Sequence, residues 1–308
     1  MDTRLLVRFA KVAELGSVTK AAEALGMTQP VLSRDLAILE HEIGAKLFAR
    51  QARGVGLTEA GKIFHARAVS LVRSFDELKQ DVISGSQIPC GELRLGFPMS
   101  MVETLTSPLI EKFYHEYPKV VLTVYDGASD HLESMFSGGE LDLAIFMSAR
   151  PPIRSMNIQP LLVENMYLIG PAGGDLDVRR PVGWSALNDK PMILYSAPNQ
   201  TRLKVNHAAQ QYNLQFRVVA EVSSFTLLMD LVERGIGYAI VPLGAVRNAL
   251  NKKRVTAAPL RNAFFEWSLG ITRERPYAMA IPAAERIIRD LVQRQSRKKP
   301  GWTVLKKV

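Results

Sequence analysis

GMTQPVLSRDLAILE, residues 26–40, opens on a turn and runs into a helix. Leu32, Leu36 and Leu39 recur at helical spacing and define a face that must be buried. The opposite face carries Pro30, Ser33, Arg34 and Ala37, with almost none of the Glu and Lys of an ordinary solvated surface. Upstream, TRLLVRFAKVAELG (3–16) reads as a helix ending near Gly16. SVTKAAEALG (17–26) starts at the N-cap candidate Ser17 and stops at Gly26. Thr28 is a further N-cap candidate, and Pro30 falls in the first helical turn, where a missing N–H costs little. AKLFARQARGVGLT (45–58) follows as two short strands around a glycine-containing turn.

Two helices joined by Gly26-Met27-Thr28 make a helix-turn-helix candidate. In that motif the second helix enters the DNA major groove, which accounts for a slim outward face. Gln29 can pair bidentately with adenine, Arg34 with guanine or a phosphate, and Pro30 can meet a thymine methyl. Ser33 is small enough to let the helix in. Thr28 and the helix N-terminus offer free N–H groups to a phosphate. Arg50 and Arg53 lie in the hairpin that follows, where a wing would grip the backbone. One helical hairpin of a bundle is the alternative on these residues alone.

Bulk charge argues less than it promises. The 308 residues carry a net charge of +9, with 47% hydrophobic and 22% charged residues. Residues 1–90 hold 12 Lys and Arg against 10 Asp and Glu; residues 91–292 hold 21 against 20; residues 293–308 hold six against none. Two-thirds of the excess therefore sits in the tail QRQSRKKPGWTVLKKV, read as a solvated end, with DNA phosphate or a neighbouring subunit as other contacts. DNA binding must rest on local arrangement. No run of about 18 apolar residues is present to span a membrane, and the N-terminus lacks a signal-peptide pattern. The lone Cys90 excludes an internal disulfide, and a cytoplasmic location is expected.

From Thr58 a longer helix is expected. Phe64, Ala68, Leu71, Phe75, Leu78 and Val82 form a heptad stripe that suits a dimerising helix, or a helix packed on its own domain. It ends at SGSQIPCGE (84–92). Beyond residue 91, strands (ELRLGF, VVLTVYD, LDLAIF, PMILYS, FRVVAEV, GYAIVP) alternate with helical segments, which predicts a parallel α/β architecture. No G-x-S-x-G elbow, phosphate-binding loop or H-E-x-x-H is present. His41, His65, His115, His131 and His207 are scattered without metal spacing. No catalytic residue, metal or cofactor is expected, and an enzyme or exported solute-binding protein is the less favoured reading.

The stretch FAKVAELGSVTKAAEALGMTQPVLSRDLAILEHEIGAKLFARQARGVGLTEAG closely resembles the N-terminal domain of LysR-type transcriptional regulators, and the resemblance extends over nearly the whole chain. It implies a winged helix-turn-helix (1–58), a linker and dimerisation helix with hinge (59–90), and a two-lobed effector-binding domain similar to periplasmic binding proteins (91–308). Lobe one would span about 91–162 and 267–292, lobe two about 163–266, with a basic tail at 293–308. Implied DNA contacts are Gln29, Pro30, Ser33, Arg34 and Arg53. Asp35 departs from the family's pattern; pointing at DNA it would repel phosphate, but its helical angle turns it sideways.

The resemblance further implies a small-molecule effector, a small organic or aromatic acid, held in a crevice between the lobes near the strand ends. Candidate contacts are Met99 and Ser100 after the first strand, Phe146 on the apolar side, Ser196, Asn199 and Thr201 before one helix, and Ser223 before another. The implied partners are double-stranded promoter DNA, the effector, RNA polymerase and further copies of the chain, as a homodimer and a homotetramer. A regulator that acts by abundance, without an effector, fits the same residues.

Overall fold

The computed structural model describes residues 2–51, 54–65, 67–69, 71–72, 89–147, 156–273, 279–298 and 302–305. The chain divides into two compact units, residues 1–87 with 137–140, and residues 88–136 with 141–308.

The first unit begins with α1 (Thr3–Leu15), α2 (Val18–Ala24) and α3 (Gln29–Ile43). Their ends are chemically marked. Asp2 accepts a hydrogen bond from the Arg4 N–H at 2.9 Å. Gly16 takes the left-handed conformation and returns its N–H to the Val12 carbonyl at 2.9 Å. Ser17 caps α2 through the Lys20 N–H. Leu5, Leu6, Phe9 and Val12 of α1 close over Ala21, Ala22 and the three leucines of α3.

The predicted hairpin is β1 (Phe48–Gln51) with β2 (Gly54–Leu57), antiparallel, Phe48 opposite Leu57. Gly54 has φ of 120°, and a Cβ there would stand 2.3 Å from the Gly16 carbonyl oxygen. Only glycine lets the hairpin seat on the α1–α2 turn, where the Val55 N–H meets the Gly16 carbonyl at 2.9 Å. Thr58 starts α4 (helical at 59–65, 67–69 and 71–72) and accepts from the Gly61 N–H at 2.9 Å.

The heptad stripe divides in the structure. Phe64 meets Phe9 edge-on at 5.0 Å between ring centroids, and Ala68 is buried in the same core. These two positions pack into the core of their own unit. Leu71 is exposed. Phe75, Leu78 and Val82 lie outside the described residues.

The second unit is built on β3 (Gly91–Pro98), β4 (Val120–Gly127), β5 (Leu143–Phe146), β6 (Met156–Pro171), β7 (Pro191–Tyr195), β8 (Arg217–Val222), β9 (Ala239–Pro242), β10 (Val255–Thr272) and β11 (Trp302–Val304). Its helices are α5 (Ser107–Glu116), α6 (Ser129–Ser137), α7 (Gln200–Gln211), α8 (Phe225–Glu233), α9 (Leu243–Asn251) and α10 (Ala280–Lys298). β4, β3 and β5 run parallel, as do β7 and β8. β10 is antiparallel to β5 and to β6, and β9 is antiparallel to β6. The unit is therefore mixed α/β rather than purely parallel. β6 and β10 pair along most of their length, across the points where the expected lobes divide, with register shifts between Pro259 and Phe264 and between Trp267 and Ser268.

The tail also departs from expectation. Residues 293–298 complete α10, and β11 pairs with β6, Trp302 opposite Glu164. Trp302 is buried. An apolar side chain within a basic segment finds a sheet edge, so that part of the tail is not a solvated end.

Glu40 fastens the corner where α3 meets β1. Its carboxylate accepts from the Leu47 N–H at 2.9 Å and the Phe48 N–H at 3.2 Å, and pairs with Lys46 at 2.6 Å. Burial works against the charge, but Lys46 and the two backbone N–H groups outweigh it and hold the carboxyl below its ordinary value. A depressed folded pKa contributes stability above the unfolded pKa, and this is lost as pH falls through the folded one. Urea melts of Glu40→Gln should show a loss of about 1–3 kcal/mol at neutral pH, with the gap to the parent narrowing on acidification.

Candidate functional site

Two surfaces qualify as sites, one in each unit. On the first, α3 buries Leu32, Leu36 and Leu39 and leaves Gln29, Pro30, Arg34 and Ala37 exposed, with Ser33 half-buried. Thr28 precedes the helix with extended backbone and no side-chain capping bond, so its hydroxyl and the first N–H groups of α3 are open to an anion. The Gln29 amide donates to the Ser33 hydroxyl at 2.9 Å. Val31 and Ile38 are exposed beside these residues, an apolar content that the sequence reading left out. Asp35 forms an ion pair with Arg8 of α1. It is therefore turned toward α1, sideways as its helical angle suggested. Arg50 lies in β1 opposite Val55, and Arg53 lies outside the described residues.

The second surface is a solvent-open crevice within the second unit. It opens where strands end and helices begin: at Pro98, Met99 and Ser100 after β3, at Gly127, Ala128 and Ser129 before α6, and at Tyr195, Asn199 and Thr201 between β7 and α7. Ser223 and Phe225 border the start of α8, and Pro242 and Ala245 the start of α9. Helix N-termini from both lobes thus face one space, each carrying partial positive charge and unspent N–H groups. Asn199 caps α7 through the Arg202 N–H at 3.1 Å, and Ser224 caps α8. These caps are spent on the backbone, whereas Ser223 stands beside its cap and borders the crevice. Apolar lining comes from Met99, Met147, Phe225 and Trp267.

Of the expected contacts, Met99, Ser100, Asn199, Thr201 and Ser223 border the crevice. Phe146 does not. It is fully buried against Phe136 of α6, ring centroids 5.7 Å apart, and the next residue, Met147, reaches the crevice instead. Ser196 is also absent from the lining; its N–H joins β7 to β8 through the Val222 carbonyl at 2.9 Å. Arg202 is held inside its own lobe, 2.8 Å from Glu221 and 2.9 Å from the Tyr195 carbonyl oxygen.

Ser129, Tyr195 and Trp267 border the crevice unannounced. The Ser129 hydroxyl accepts from the Met147 N–H at 3.1 Å and so ties two parts of the wall together. Burial pushes the Tyr195 phenol well above its ordinary value, so it stays protonated and presents an O–H. Ser129 is within reach of the sequence: the strand-to-helix junction Gly127-Ala128-Ser129 has the same form as the junctions that supplied Ser100, Asn199 and Ser223. Among the described residues no group of His, Cys, Asp and Glu is placed to hold a metal, and no helix is long and apolar enough to cross a membrane.

Comparison with known proteins agrees across both units. Residues 3–62 match the bacterial regulatory helix-turn-helix protein, lysR family, and residues 86–295 match the LysR substrate binding domain. The nitrogen assimilation regulatory protein nac of Escherichia coli (strain K12) is 30% identical over 252 residues, 80% of each chain. That of Klebsiella aerogenes is 28% identical over 96% of this chain and 97% of its own. Among solved structures, a full-length OxyR variant from Pseudomonas aeruginosa superposes with a TM-score of 0.72 at 22% identity, covering 94% of both chains. Full-length CbnR, solved in complex with its target DNA, gives a TM-score of 0.67 at 19% identity over 96% of this chain and all of that one.

The separation of core from crevice has a measurable form. Phe146→Ala should cost about 3–5 kcal/mol of effector-domain stability in urea melts. Ser223→Ala, at the crevice rim, should stay within about 0.5 kcal/mol of the parent.

Proposed function

The chain belongs to the LysR family of transcriptional regulators, and we propose that it binds a promoter site through α3 under the control of a small organic acid, aromatic acids included, held in the crevice. The observation that carries this reading is the exposed face of α3: a groove-sized surface with one cation, two polar side chains and an open helix N-terminus. Arg34 and Gln29 read base edges, Pro30 meets a thymine methyl, Ser33 allows close approach, and Thr28 holds phosphate. Arg50 and Arg53 grip the backbone from the hairpin. CbnR is a relative in fold whose structure holds target DNA, which supports this docking.

In the effector domain, Ser100, Asn199, Thr201 and Ser223 surround the acid group together with the helix N-termini, while Met99 and its apolar neighbours take the rest of the molecule. The ligand acts by binding one arrangement of the lobes better than another, so its differential affinity sets the size of the response. The working assembly is a homodimer through the rest of the stripe (Leu71, Phe75, Leu78 and Val82), paired into a homotetramer. It is cytoplasmic, and it signals to RNA polymerase on the promoter.

The test is a band-shift titration of purified protein on DNA from near its own gene at moderate salt, with thermal-shift screening of small organic acids alongside. Absence of sequence-preferring binding would sink the DNA reading. A broad screen without any rise in melting temperature would sink the effector reading alone. Arg34→Ala should weaken specific binding by about 1–3 kcal/mol, with little change on unrelated DNA.

A further inference from the structure

Glu164 is 1% exposed, in the middle of β6, where the long strands pass between the lobes. Burying a carboxyl group is costly unless donors surround it, and two of the groups that meet Glu164 tie it to the crevice. One oxygen accepts from the Trp267 indole N–H at 3.1 Å, and Trp267 borders the crevice. The other faces the Gly244 N–H at 3.4 Å, in the first turn of α9. Trp267 lies opposite Leu162 and Phe265 opposite Glu164, so Glu164 and Trp267 are diagonal neighbours on one face of the sheet.

The α9 turn itself is tight against the other lobe. A Cβ on Gly244 would stand 3.0 Å from the Ser100 carbonyl oxygen and 3.7 Å from a methyl carbon of Thr104. Ser100 borders the crevice too, as do Pro242 and Ala245 on either side of Gly244. One buried carboxyl group therefore reaches an aromatic wall of the crevice and the helix start that packs on Ser100 at its rim.

We propose that Glu164 is the positioning residue of the effector crevice: it presets the Trp267 indole and couples it to the start of α9, so that a ligand pressing on the wall is felt where the lobes meet. The inference rests on the crevice being the effector site. Presetting matters because a wall side chain ordered in advance spares the ligand the cost of ordering it.

The full-length chain, labelled with nitrogen-15 at tryptophan and glycine, tests this without a ligand. In the parent, the Trp267 indole proton and the Gly244 amide proton should both be protected from exchange. Glu164→Gln offers one acceptor oxygen and turns an NH2 toward the other donor. One of the two protons should then exchange faster, on the order of tenfold, while its companion keeps its protection. Glu164→Leu should release both. If both protons keep parental protection in Glu164→Gln, the proposal fails; that variant preserves size and decides the matter even where Glu164→Leu does not fold. Failure of every small molecule to bind would instead remove the effector reading and leave these two signals as they are.

Discussion

The effector domain hangs on one antiparallel pair. β6 and β10 are 16 and 18 residues long, and β5, β9 and β11 all pair with one or the other. Long pairing is stiff, and the two register shifts in β10 are where the pair gives. Trp267 stands at one of them, and Glu164 faces it from β6. The crevice opens beside the point where a rigid ladder is interrupted, which is where a small molecule can bias the arrangement of two otherwise firm bodies.

The DNA-binding unit solves a different problem with little charge to spend. Residues 1–90 are nearly neutral, and several of their charges are committed internally: Asp35 to Arg8, Glu40 to Lys46 and the β1 backbone. Arg34 is left exposed on the face of α3. The exposed Val31 and Ile38 give that face an apolar character beside its polar edge. A surface of this kind is suited to contact with base edges and methyl groups more than to non-specific attraction to phosphate.

What the sequence makes legible follows from how local each signal is. The N-terminal helices are readable to within a residue or two because Gly16, Ser17 and the first-turn Pro30 mark their ends by chemistry confined to one turn. Strand-to-helix junctions are readable for the same reason, and the residues taken from them, Met99, Ser100, Asn199, Thr201 and Ser223, border the crevice. Phe146 falls on the other side because β5 is buried on both faces, so alternation carries no information there. The reach of β6 and β10 is hidden for a related reason: their pairing depends on contacts some hundred residues apart. β11 is masked by the surrounding lysines and arginines, although Trp302 is the informative residue. The heptad stripe is ambiguous by its nature, because a buried stripe looks the same whether its partner is another chain or its own domain, and Phe64 and Ala68 pack on their own domain.

The Arg8–Asp35 ion pair carries a consequence for descent. It adds a polar tie to α1 to the leucine packing that sets the rotation of α3 about its axis. Neither partner is easily changed alone, since a half-buried charge deprived of its mate is costly. Positions 8 and 35 are thereby expected to drift as a unit among close relatives. Sequence preference could then shift between lineages through a paired exchange in the scaffold, while Gln29, Ser33 and Arg34 stay the same.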